Sequence, residues 1–219
     1  MNPLTILRDS LYFFRLNLGQ IMTLCLPLVI LEAVLQHVVD NAAGPDAPQG
    51  YGLMVGLLVY PLYTGALIFF LDARSRGESP ANREVLARAL NLWPKFALLA
   101  AISTLLIVLG LSMFIAPGIY LTVVLAFSEY NLVLRGQPPL MAIKSSMTMS
   151  RGHFWRIFVC ILAVLGPLMA LKELSFSLFP KDESALMSIA LESANGFLQL
   201  FLSVVLFRLF MLINEKSDS

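Results

Sequence analysis

An almost unbroken apolar run from Phe96 to Phe127, interrupted only at Ala116-Pro117-Gly118, constrains this chain more than any other feature. As a single helix, residues 95–134 would be about 60 Å long at ~1.5 Å per residue. That is twice the ~30 Å hydrocarbon core of a bilayer, so the run has to fold back. Pro117-Gly118 is the turn signal within it and the expected point of reversal. The alternative, one kinked helix, is disfavoured by that length.

The same ruler, about 20 residues per crossing, gives six spans, at residues 18–39, 51–71, 95–115, 117–134, 154–172 and 192–213. Composition agrees. Of the 219 residues 58% are hydrophobic and only 13% charged, with a mean hydropathy of +0.79, against about 25% charge in a soluble domain. Arg8 and Arg15 ahead of Ile21–Leu31 resemble a signal peptide, but the apolar character continues through Ala33-Val34-Leu35 to Val38-Val39. That is long enough to span, so an uncleaved first membrane helix is expected. The expected fold is all-α, one integral-membrane domain over residues 1–219.

Basic residues set the orientation. With the amino terminus in the cytoplasm, the inner segments hold Arg8 and Arg15; Arg74, Arg76, Arg83, Arg88 and Lys95; Arg135, Lys144, Arg151 and Arg156; and Arg208 and Lys216. These are 13 of the 15 basic residues. Lys172 and Lys181 remain outside with Asp40, Asp46, Glu173, Asp182 and Glu183. Both termini are then cytoplasmic.

Each pair of spans follows a short amphipathic segment that opens with proline. Leu4, Leu7, Leu11 and Phe14 follow helical spacing after Pro3; Val85, Ala89 and Leu92 after Pro80; Leu140, Ile143 and Met147 after Pro138-Pro139. Proline at a first helical position leaves no amide unpaired, and Asn2 and Ser79 are suitable N-caps. Pro3, Arg8, Ser10 and Arg15 match Pro139, Lys144, Ser146 and Arg151 in spacing. The chain therefore reads as three units, near 1–76, 78–135 and 138–216, each a cytoplasmic interfacial helix and a hairpin. Aromatic residues at Phe13-Phe14, Trp93 and Phe154-Trp155 lead into the spans as interfacial anchors. Basic residues over an apolar face favour anionic phospholipid at ~1 kcal/mol each. Arg8, Arg15, Arg88, Lys144, Arg151 and Arg156 are the candidate headgroup contacts; simple topological anchoring is the plainer reading of the same residues.

Charges inside spans cost roughly 2.5–3.5 kcal/mol near the bilayer centre on insertion scales. Glu32, Glu129 and Arg208 are such charges. Glu129 and Arg208 lie at similar depth, so an ion pair is expected, with Tyr130 and Asn131 beside it. It either locks the bundle or forms a polar site for a headgroup or solute. Glu192, His37 and His153 read as interfacial. Gly52-x-x-x-Gly56 allows close helix packing. Cys25 and Cys160, each in an apolar run, read as small packing residues. There is no Gly-x-Ser-x-Gly, Walker loop or His-Glu-x-x-His, and no basic nucleic-acid-like face. No catalytic activity, cofactor, metal or nucleic-acid partner is expected.

The ending Leu206-Phe207-Arg208-Leu209-Phe210-Met211-Leu212-Ile213, with Tyr12-Phe13-Phe14-Arg15, Pro117-Gly118-Ile119 and Lys144-Ser145-Ser146-Met147, resembles the YciC-like inner-membrane proteins of Gram-negative bacteria over nearly the whole chain. The 40–50 loop is short for that family. More distantly, Ala116-Pro117-Gly118-Ile119-Tyr120, Ala142-Ile143-Lys144-Ser145-Ser146 and Arg151-Gly152-His153-Phe154-Trp155 are similar to the membrane domain attached to some glycerophosphodiester phosphodiesterases, which carries no catalytic residues of its own. The resemblance implies a polytopic inner-membrane protein of unassigned biochemistry, and the distant similarity adds a lipid context. Two functions are expected: a non-enzymatic role in envelope or phospholipid homeostasis, or transport of a small solute or lipid through Glu129 and Arg208.

Overall fold

The computed structural model describes residues 3–44, 50–178 and 185–217. Asn2, Asp46, Lys181, Asp182 and Glu183 lie outside them. The described residues form nine α-helices and no strand: α1 (Pro3–Leu16), α2 (Leu18–Ala43), α3 (Gly50–Ser75), α4 (Asn82–Met113), α5 (Ile115–Leu125), α6 (Ser128–Arg135), α7 (Pro139–Ser150), α8 (Phe154–Leu178) and α9 (Ala185–Ser217). Six stretches are long and apolar enough to cross a bilayer: α2, α3, α4, α5 with α6, α8 and α9.

Three details depart from the sequence expectation. The reversal in the central run falls at Phe114, whose extended backbone (φ −160°, ψ 156°) separates α4 from α5. Pro117 sits in the first turn of α5, where a missing amide costs nothing. Gly118 instead permits close approach: a Cβ there would lie 3.0 Å from the Leu111 Cα, and one at Gly110 would lie 3.1 Å from the Gly118 Cα. Second, the fourth crossing is broken at Ala126-Phe127, between α5 and α6. Third, the segment after Pro80 is not a separate helix but the first turns of α4, which runs on through Pro94.

Pro27, Pro61, Pro94 and Pro167 all lie inside long helices. Proline withholds an amide from the carbonyl one turn earlier, and in lipid freed carbonyls need another donor. Near Pro61 the Trp93 indole N–H donates to the Leu58 carbonyl at 2.7 Å.

The crossings form a ring. α2 packs on α3, α3 on α4, α4 on α5, α5 on α8, α8 on α9, and α9 closes onto α2. At one end α6 crosses towards the middle, against α3 and α4, and α3 also meets α9. Aromatic rings fill that end: Tyr130 stacks on Phe210 at 5.5 Å, and Phe127 lies 5.9 Å from Phe210. α7 packs beneath α4, α5 and α6, while α1 lies against α9, α2 and α8. The chain leaves α6 through Gly136, whose left-handed backbone (φ 62°) favours glycine.

Candidate functional site

A cavity of about 600 Å³ occupies the middle of the ring, with walls from all six crossings. Most of its lining is apolar, including Leu57, Ile107, Leu125, Ile161, Leu165 and Leu202. Small residues on facing helices leave the space: Gly52 and Gly56 on α3, Ala100, Ser103 and Thr104 on α4. Its deep end is Glu129 with Tyr60 and the fully buried Tyr130; its other end reaches the exposed Leu53.

Glu129 enters because of the break in the fourth crossing. It lies in the first turn of α6, where the helix dipole favours negative charge. The Tyr60 hydroxyl donates to Glu129 Oε1 at 2.8 Å. Tyr60 is itself held edge-on between the Tyr63 and Phe96 rings, at 5.6 and 6.4 Å. Tyr130 turns its hydroxyl to the Ser203 carbonyl at 2.8 Å.

The break exposes backbone groups that lipid could not satisfy. α7 supplies the partners. Ser146 Oγ accepts from the Phe127 N–H (3.0 Å) and donates to the Val124 carbonyl (2.7 Å). Ser150, one turn on, reaches the Val123 and Val124 carbonyls at 3.5 and 3.4 Å. Ser128 Oγ donates to the Leu125 carbonyl at 2.6 Å and Asn131 Nδ2 to the Phe127 carbonyl at 3.0 Å.

Glu32 is the cavity's second carboxylate. Its Oε1 accepts from Gln36 Nε2 at 3.1 Å and would lie 3.3 Å from a Cβ on Gly56. Gly56 and Tyr60 are four residues apart on α3, so the carboxylates meet that helix about 6 Å apart along its axis. Glu32 and Gln36 also wall a smaller, more polar cavity of about 220 Å³ with Tyr63, Lys172, Glu192 and Asn195. Gly52-x-x-x-Gly56 thus faces α2 across the cavity wall.

Of the four residues the sequence grouped, the structure brings Glu129 and Tyr130 to the cavity. Asn131 is buried at the break. The expected Glu129–Arg208 pair does not form: Arg208 lies 3.9 Å from Asp9 on α1, both roughly half-exposed. Matching depth did not fix direction. Ser203 and Leu206 are the α9 residues at that level that face the cavity, and at 100° per residue Arg208 is turned about 140° and 160° from them. Among the headgroup candidates Arg8, Arg15, Lys144 and Arg151 are exposed and Arg156 is half-buried. Arg88 pairs with Glu84 at 2.6 Å. Cys25 and Cys160 are free and buried. Sequence reasoning missed Tyr60, Gln36 and Ser103. The hydroxyls at Ser103-Thr104 within an apolar run were the available signal.

Residues 51–212 match the uncharacterised protein family UPF0259. A UPF0259 membrane protein of Sodalis glossinidius is 24% identical, the match covering 96% of this chain and 97% of that protein. Counterparts from Yersinia pestis and Yersinia pseudotuberculosis are 26% identical over 71% of this chain, and the match spans 60% of their length. No solved structure matches. With most of its length inside the family match and six apolar crossings, the chain belongs to the UPF0259 family of multi-pass membrane proteins.

Proposed function

We propose that this is a non-enzymatic inner-membrane protein of envelope or phospholipid homeostasis that holds a lipid-sized or smaller molecule in the cavity of its ring. The observation that carries the reading is a chamber of about 600 Å³, apolar on its walls and polar at Glu129, Tyr60 and Tyr130. Small-molecule sites are typically such concave, mostly apolar spaces with a few placed polar groups. Both termini face the cytoplasm in this reading, because the basic residues cluster on that side. α1, the start of α4 and α7 serve as its interfacial helices, and their basic residues hold anionic phospholipid. The distant similarity to the membrane domain of glycerophosphodiester phosphodiesterases supports the lipid context.

A threefold build is part of this reading, and its support comes from the first and third units. Pro3, Ile6, Ser10, Phe14 and Leu18 stand at one constant offset from Pro139, Ala142, Ser146, Ser150 and Phe154. In both helices the residues at the second, third and fourth of these positions are buried, and the first and last begin helices.

The test is native mass spectrometry of the purified protein. Ser103→Leu fills the chamber from α4 and is expected to fold, as judged by its melting temperature, while losing molecules that co-purify with wild type. Equal occupancy in the two proteins overturns the chamber. For the cytoplasmic face, Arg88→Gln, Lys144→Gln and Arg151→Gln together are expected to weaken anionic-vesicle association of α1- and α7-bearing protein; unchanged association removes that role.

The broken fourth crossing favours a second reading, transport. Discontinuous helices with a charged group at the break build many transporter sites near the bilayer midplane. Glu129→Gln is expected to abolish a solute flux in reconstituted vesicles while leaving the fold intact; no flux of any candidate solute from wild type would end this reading.

A further inference from the structure

The geometry points to an occupant that carries an ammonium group on an apolar body, with Glu129 and Glu32 receiving the positive charge; this rests on the chamber reading above. Among the described residues, Glu32 and Glu129 are the charged residues that line the main cavity, and no lysine, arginine or histidine does. Arg208, the cation the sequence would have placed there, is turned to Asp9. An anionic headgroup would meet two carboxylates across a medium of low dielectric, where like charges repel strongly. A cation meets attraction from both.

The hydrogen-bonding groups agree. An ammonium offers three donors and no acceptor. Glu129 uses Oε1 for Tyr60, and its Oε2 accepts from no described residue. Ser103 Oγ is buried in the cavity wall without a hydrogen-bond partner among the described residues. Glu129 Oε2 is the acceptor left for a donor from the chamber, and a covered, unpaired hydroxyl such as that of Ser103 is costly in an apolar setting. Tyr60 holds the Glu129 carboxylate in place, so little ordering is left to binding.

The rest of the chamber selects against a bare ion. Among the described residues no cluster of three metal-ligating side chains exists. The space is far larger than an ion, and Leu57, Ile107, Leu165 and Leu202 would face it. An alkyl or acyl body covers those walls. A free amphiphilic amine and the ethanolamine headgroup of a lipid share this chemistry.

The test uses the full chain in phosphatidylcholine nanodiscs, with empty nanodiscs as blanks, and three probes of one length: octylammonium, octanoate and octanol. Octylammonium is expected to bind at least tenfold more tightly than the other two. Glu129→Gln is expected to weaken it about tenfold or more, the loss typical of a hydrogen bond to a charged group. Glu32→Gln, nearer the mouth and already engaged by Gln36, is expected to weaken it less and serves if Glu129→Gln fails to fold. Adding phosphatidylethanolamine to the nanodisc separates the sources. Competition assigns the ammonium to a lipid headgroup and its absence assigns it to a free amine; either supports the proposal. Octanol or octanoate binding as tightly as octylammonium overturns it, as does unchanged octylammonium affinity in both glutamine variants. If octanol binds and displaces the co-purified molecules, the chamber stands and only its charge preference falls. If no probe binds and Ser103→Leu keeps those molecules, the chamber falls as well.

Discussion

α1 and α7 are built to one pattern and do different things. Each opens at a proline and buries a row of residues one turn apart: Ile6, Ser10 and Phe14 in α1, Ala142, Ser146 and Ser150 in α7. α1 lies on α9, which runs unbroken from Ala185 to Ser217. Its Phe14 wedges between Phe197 and Phe201, at 6.0 and 5.6 Å, and its Ser10 hydroxyl is buried without a partner among the described residues. α7 lies on a crossing that is broken, and its serines complete the backbone there. An aromatic anchor suits a closed helix, whose backbone has nothing left to offer. Hydroxyls suit an open one. The lesson is that the break that carries Glu129 into the cavity is maintained from outside the crossing, by a helix that never enters it.

The comparison can be broken hardest at Phe14. Phe14→Ala removes a buried ring, a change that typically costs about 3–5 kcal/mol in a core. At an interfacial helix the expected loss is the docking of α1 itself. Trypsin should then cut at Arg8 and Arg15 well below the temperature at which the bundle melts. If cleavage and melting stay coupled, α1 is integral to the ring rather than clipped onto it.

Ser146 comes next, with Ser10 as its control. Ser146→Ala leaves the Phe127 N–H and the Val124 carbonyl each without that partner. The expected destabilisation is about 1–3 kcal/mol, the cost of stranding buried polar groups, tempered by the modest worth of single interhelical hydrogen bonds in membranes. The variant should also bind the cavity's occupant less tightly, since Glu129 rides on α6. Ser10→Ala, at the equivalent place, removes a hydroxyl with no partner among the described residues, so its melting temperature should hold or rise. Equal losses at the two serines would mean that the hydroxyls act only as small packing groups.

This division also explains what the sequence could and could not disclose. Crossing number was legible because 20 apolar residues are a length, and lengths add along a chain. Glycine at 118 was legible as a marker of the hairpin but misleading as its apex. The close contact it permits lies within the packed helices, and the chain turns at Phe114, which has no turn-residue signature. The break at Ala126-Phe127 left no proline or glycine to read. The Ser146 hydroxyl that satisfies its backbone lies about twenty residues later in sequence and 3.0 Å away in space. Glu129 could be flagged from cost alone, because a carboxylate in lipid demands a reason. Its neighbour could not, since depth along a helix is linear in residue number whereas facing direction turns by 100° at each step. Tyr60 was invisible for the same reason: a tyrosine among apolar residues of α3 looks like any other until the neighbouring helix is known.

The smallest effect is expected at the pair that ties α1 to α9. Arg208 and Asp9 approach to 3.9 Å, and their side chains are 45% and 41% exposed. An ion pair so open to solvent and headgroups is worth about 0.5 kcal/mol or less. Arg208→Gln, Asp9→Asn and the double variant should therefore melt close to wild type, with little coupling between the two changes. More tellingly, Arg208→Gln should leave binding in the chamber as it is, while Glu129→Gln, at the same depth on the facing side of the ring, should not. If the two variants lost binding together, the charges would be acting as partners after all, and α9 would have to be turned by nearly half a revolution from its place here. Its buried residues resist such a turn: Val204, Val205 and Leu209 are covered, and Phe210 is stacked on Tyr130. Rotating α9 to bring Arg208 inward would carry that aromatic floor out towards lipid.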